Sequence, residues 1–227
     1  TEFLPDTFFN TSSNPSRGLF NGTNTLTAQL VYSPSSRANL RFLYNRSTLA
    51  ANVNVRDENG NITGRGVGGS TGEPIYGVAD DGFGGTIEDA NADTFGFNFD
   101  WLITDNIGLF GRYTYGSTDI EPKNDDRDSG SVDAQSIQAG IAFLDFLSDG
   151  ARLTLSYTTP FSVLDGRNFL ASGGGDGGVQ YEFEATYYIP ITNNIAIVPA
   201  VYFIGNPNNF SDNPNIWVGN LRTQFSF

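Results

Sequence analysis

Asn215-Ile-Trp-Val-Gly-Asn-Leu-Arg-Thr-Gln-Phe-Ser-Phe227 alternates lipid-compatible side chains (Trp217, Leu221, Phe225, Phe227) with polar ones (Asn220, Arg222, Gln224, Ser226). A period of two means a β-strand with one greasy face and one wet face. A strand of this kind that stops on an aromatic residue has the pattern of the closing strand of a membrane β-barrel, with Phe225 and Phe227 as the expected assembly signal. The expectation is a membrane protein built without a hydrophobic helix.

The same rhythm extends upstream. Leu26, Ala28, Leu30 and Tyr32 share one face of 24–32, and Leu40, Phe42 and Tyr44 share one face of 38–46. Residues 93–103 carry the strongest stripe: Phe95, Phe97, Phe99, Trp101 and Ile103. Further strands are expected at 107–116, 134–144, 151–159, 179–190 and 195–204. With the terminal stretch they number about nine, each near the ~10 residues a tilted membrane strand needs.

Composition agrees with this class. Hydrophobic residues make up only 38% of the 227 while aromatics reach 14%, and glycine is abundant at 27. One residue in two facing lipid, with aromatic girdles and Gly-rich loops, explains that mix. No run approaches the roughly 20 apolar residues of a membrane helix. There is no Cys, Met or His, which removes disulfides, thiolate and imidazole chemistry, and the commonest transition-metal ligands. A net charge of −13 argues against nucleic acid as a partner.

The connections alternate in length. Ser33–Arg37, Thr104–Asn106, Asp145–Gly150 and Thr192–Asn194 are tight turns rich in Asp, Asn, Pro or Gly. Segments 47–92, 117–133, 161–178 and 205–214 are longer and polar, with 47–92 the long external loop. Short turns on one side and long loops on the other match an outer-membrane barrel with periplasmic turns. Nine strands leave the first and last parallel, so they cannot close an antiparallel barrel with each other. The chain is therefore expected to be the C-terminal part of a larger barrel, with residues 1–20 in a loop or lumen segment.

Opposite the apolar stripes fall Arg41, Arg112, Arg152 and Arg222, one on each of four strands, with Asp100, Glu182, Glu184, Gln138 and Gln180. An arginine or lysine facing lipid at mid-depth costs about 2–4 kcal/mol, so these nine residues are expected to line a water-filled pore. An Arg ladder facing carboxylates across such a pore sets ion preference and orients polar solutes. The bland alternative is that they form salt bridges stiffening the wall.

Catalysis finds no support. Glu182 and Glu184 are two apart on one strand, roughly 6–7 Å, whereas glycoside hydrolysis needs carboxylates flanking a bond. The Asp-rich run 124–133 and Gly173-Gly-Gly-Asp-Gly-Gly178 lack the spacing of calcium loops. Asp80, Asp81, Glu88 and Asp89 on the same side suit loose cation association at the outer mouth. No catalytic residue, metal site or cofactor is expected. Triplets such as Asn21-Gly-Thr carry no glycosylation meaning in a bacterial outer membrane.

The run Asn206-Pro-Asn-Asn-Phe-Ser-Asp-Asn-Pro-Asn-Ile-Trp-Val-Gly-Asn-Leu-Arg-Thr-Gln-Phe-Ser-Phe227 resembles the end of cyanobacterial outer-membrane porins, relatives of the carbohydrate-selective porin B family often labelled iron-uptake porins. Tyr188-Ile-Pro-Ile-Thr-Asn-Asn-Ile-Ala-Ile-Val-Pro-Ala-Val is similar to the penultimate hairpin there. The match is fairly specific over 179–227; upstream only the barrel rhythm and Leu19-Phe-Asn-Gly-Thr carry it. The resemblance implies a homotrimer of roughly sixteen-stranded barrels passing small solutes or inorganic ions passively through the lipid bilayer. It also implies an N-terminal cell-wall-binding domain not seen in this chain. The competing expectation is a soluble β-sandwich, a carbohydrate-binding or adhesin module at the cell surface, whose aromatic stripes would be buried against a second sheet.

Overall fold

The computed structural model describes residues 24–51, 53–68, 78–172 and 174–226. The expected segment 1–20 and Phe227 lie outside the described residues. In chain order the strands are β1 (Asn24–Ser35), β2 (Ala38–Ala50), β3 (Val53–Arg56), β4 (Ile62–Gly68), β5 (Val78–Ala79), β6 (Ile87–Leu102) and β7 (Ile107–Pro122). They continue as β8 (Gly130–Leu144), β9 (Arg152–Asp165), β10 (Leu170–Ser172), β11 (Tyr181–Thr192), β12 (Ile195–Gly205) and β13 (Ile216–Phe225). The chain is all-β and antiparallel.

Nine of these strands form one sheet in the order β1-β2-β6-β7-β8-β9-β11-β12-β13. Each pairs with the strand before it in that order, so the four tight turns gather at one end and the four long loops at the other. Register keeps the apolar stripes aligned. Leu30 stands opposite Phe42, Phe42 opposite Phe97, Phe97 opposite Tyr113, and Tyr113 opposite Ile137. One step nearer the turns, Ala139 stands opposite Tyr157, Tyr157 faces Phe183, Phe183 faces Phe203 and Phe203 faces Trp217. Because directly opposed residues project to the same side, the sheet has a continuous aromatic face and a polar one.

The aromatic face is bare. Trp217 is 71% exposed, Leu221 73%, Phe95 53%, Phe183 51% and Trp101 50%. No second sheet covers it among the described residues, as a β-sandwich would require. Through the span from the turns up to Phe95, Tyr115 and Phe183, this face carries no charged residue. Tilted ring pairs such as Phe42–Phe97 and Tyr44–Phe95, with centroids 5.0 and 5.1 Å apart, knit adjacent strands.

Several strands run further than alternation predicts: β6 begins at Ile87, β7 continues to Pro122 and β2 to Ala50. The cause is a second, small sheet, in the order β10-β5-β4-β3, which lies over the polar face at the loop end. There Leu49, Ala90, Ala92, Ile120 and Val132 of the large sheet are buried with Val67, Ala79, Ile87 and Phe169. Covered on this side, the strand ends carry small and apolar residues at positions that alternation reserves for polar ones. The apolar core of the chain is therefore at its loop end.

Candidate functional site

The polar face collects the charges in rows. Arg41, Asn98, Arg112, Gln138, Thr158, Glu182 and Ile204 stand directly opposite one another on seven consecutive strands of the sheet. The adjacent row is Asn39, Asp100, Phe110, Gly140, Ser156, Glu184 and Tyr202. In the first row the guanidinium groups occupy the β2–β7 side and the Glu182 carboxylate the β11 side; in the second, carboxylates stand on β6 (Asp100) and on β11 (Glu184). Three strand spacings, about 14 Å, separate Arg112 from Glu182.

Local bonding differs along these rows. Arg41 forms an ion pair with Asp100, to which Asn39 Nδ2 also donates at 2.7 Å. Both charged side chains are part-exposed, so the pair contributes no more than about 1 kcal/mol. Arg112 Nε donates to Asn98 Oδ1 at 2.7 Å, a neutral partner that orients the guanidinium without cancelling its charge. Thr186 Oγ1 donates to Glu184 Oε1 at 2.6 Å. Gln180 falls one residue before β11, where its Nε2 donates to Glu182 Oε1 at 2.6 Å and its Oε1 accepts from Asn208 N at 2.7 Å. It joins the polar face to a loop.

Arg152 and Arg222 lie nearer the turns, with Arg152 opposite Tyr188 and Arg222 opposite Val198. All nine sequence-selected residues are on this face or at its rim. Arg41 and Asp100, on adjacent strands, pair within the wall, as the alternative of wall-stiffening salt bridges has it. Among the described residues Arg112, Arg152, Arg222, Glu182 and Glu184 make no ion pair. Asn39, Asn98 and Thr158 complete the rows, and Thr186 bonds to Glu184 from the next position on the same face of β11. Sequence reading passed over them because neutral polar residues stand out only once register puts them beside a charge. Phe225 sits on the aromatic face opposite Ile195.

At the loop end the acidic residues serve the backbone. Asp80 accepts from Gly82 N at 2.6 Å, and Asp81 from Phe83 N at 2.9 Å and Gly85 N at 2.7 Å. Burial pushes the Asp80 carboxyl up. Asp176, in the Gly-rich run, accepts from Gly178 N and from the backbone and hydroxyl of Ser211; these bonds hold its pKa down to about 2. Asp80 and Asp81 thus hold the backbone of the turn 80–85 at the mouth.

Among curated proteins the chain is similar to the uncharacterized protein alr4550 of Nostoc, 26% identical over 215 residues, which covers 94% of this chain and 33% of that protein. The chain thus spans about a third of the length of the relative it matches. No solved structure matches it. The family model described as "Carbohydrate-selective porin, OprB family" matches residues 7–227, nearly the whole chain and the same family that the terminal hairpin resembles. With its bare aromatic face, charged polar face and this match, the chain belongs to the OprB family of carbohydrate-selective porins of the bacterial outer membrane.

Proposed function

We propose that this protein is a passive diffusion porin for small hydrophilic solutes and inorganic ions, and that its polar face lines the pore through Arg41, Asp100, Arg112, Gln138, Arg152, Gln180, Glu182, Glu184 and Arg222. One observation carries the reading: through the membrane span all charge is on one face, while the opposite face exposes an unbroken aromatic and aliphatic surface. The cost of charge in lipid and the gain of apolar burial there both favour that orientation. The small sheet over the polar face then narrows the outer part of the lumen. Homotrimeric assembly belongs to the same proposal, and the native mass in detergent reads it out.

Arg112 and Glu182, held apart along one row, act locally on passing ions. In a planar bilayer under a KCl gradient, Arg112→Gln is expected to move the reversal potential toward cation preference, and Glu182→Gln toward anion preference. Unchanged potential and conductance in both variants would remove these residues from the lining. The competing reading, a soluble carbohydrate-binding or adhesin module, requires the aromatic face to be covered.

A further inference from the structure

A pocket of about 560 Å³ opens on the polar face near the turns, within the range of small-molecule sites. Arg152 and Arg222 both line it, from β9 and β13, two strands removed from each other by β11 and β12. Three strand spacings put their backbones about 14 Å apart, so two long side chains bracket the pocket from its sides. Neither guanidinium has an ion-pair partner among the described residues. Between them stands Tyr188, whose ring has the Arg152 guanidinium 5.8 Å from its centroid. Thr154 and Thr186, directly opposed on β9 and β11, and Gln224 add two hydroxyls and an amide to the wall; the Thr186 hydroxyl donates to Glu184 and faces a ligand as an acceptor.

The chemistry of this set is selective. Two guanidinium groups ask for an anion, and their planar forks match a carboxylate through paired hydrogen bonds. Hydroxyls and an amide suit several ligand hydroxyls, and a half-buried tyrosine ring offers an apolar plate for the C–H face of a saturated ring. The one carboxylate in the wall, Asp145, is already engaged: its Oδ1 accepts from Gly150 N at 2.7 Å and its Oδ2 from Asn106 Nδ2 at 3.1 Å.

We infer that Arg152, Arg222, Tyr188, Thr154, Thr186 and Gln224 form a subsite in the turn-side half of the pore for a hydroxylated carboxylate, that is, a sugar acid. This rests on the porin reading and specifies its solute class. A neutral sugar uses the hydroxyl groups and the ring alone, and a small inorganic anion uses the arginines alone.

Solute-induced interruptions of single-channel KCl current test it, using the protein isolated from its outer membrane in a planar bilayer. Glucuronate is expected to bind about tenfold more tightly than glucose, the order of difference between hydrogen bonds to charged and to neutral groups. Arg152→Gln and Arg222→Gln should each reduce glucuronate affinity toward the glucose value while channels still open. Arg222→Lys keeps the charge and loses the fork, so it should shorten glucuronate residence. Equal interruption by glucuronate and glucose in the unmodified protein, or by phosphate and glucuronate, would overturn the sugar-acid assignment. Absence of any conducting channel would instead strike the porin reading.

Discussion

At Phe110 and Gly111 two adjacent residues of β7 show how closely the sheet is fitted. On the polar face the Phe110 ring lies over Gly140, where a Cβ would come within 2.2 Å of it. On the aromatic face the Phe99 ring lies over Gly111 in the same way, at 2.4 Å. The glycines thus leave room for rings from the neighbouring strand, which return the packing a missing side chain would lose. Thr118 is the opposite case. It is fully buried under the loop-end core, and its Oγ1 has no hydrogen-bond partner among the described residues. An unmade hydrogen bond costs more than an absent one. Thr118→Val keeps the shape and removes the hydroxyl, and is expected to stabilise the protein by about 1 kcal/mol. A raised midpoint of thermal unfolding in detergent would show it; a lowered one would mean that the hydroxyl has a partner.

At the scale of elements, the loops are held by carboxylates bonded to backbone. Asp176 clamps the run 174–178 to Ser211, its Oδ1 and Oδ2 accepting from that residue at 2.7–3.1 Å. A carboxylate depressed to about 2 in the folded state binds its proton later than in the unfolded chain, where about 3.9 is usual. Its contribution is therefore complete above the unfolded value and is lost as pH falls through about 2. Amide exchange at Gly178 and Ser211 should accelerate in Asp176→Asn at neutral pH, with the amides of β11 and β12 unchanged. No acceleration would show that the two loops are held by other contacts. Strand length belongs to this scale too. β6 and β7 were legible from Phe95 to Trp101 and from Ile107 to Tyr115, where one face is dry and the other wet. Their loop-end extensions were not, because Ala90, Ala92 and Ile120 pack under the small sheet.

For the molecule as a whole, the two tryptophans decide between a lipid-facing and a buried aromatic face. Trp101 lies near the turns and Trp217 near the loops, both on the aromatic face and both at least half exposed. Such placement suits the two aromatic girdles of a membrane barrel. Their emission should be quenched by lipids brominated near the headgroup more than by lipids brominated deep in the chain, and little by aqueous iodide. A β-sandwich module would show no response to either lipid. The candidate lining follows the same division. Arg41, Arg112, Glu182 and their companions could be selected from sequence because charge opposite an apolar stripe has one affordable direction. Their neighbours Asn98, Thr158 and Thr186, and the grouping of Arg152 with Arg222, depend on which strands stand side by side.

Period-two alternation, ending at Phe225 and Phe227, was enough to determine an all-β antiparallel membrane sheet and to sort its residues between an apolar and a polar face. It was enough because side-chain direction along a strand is a local property of the pleat. The rows on the polar face, the arginine pocket around Tyr188 and the small sheet over the loop-end core were decided only by the tertiary structure. Register and loop docking join residues tens of positions apart, and no local pattern records which of them will meet.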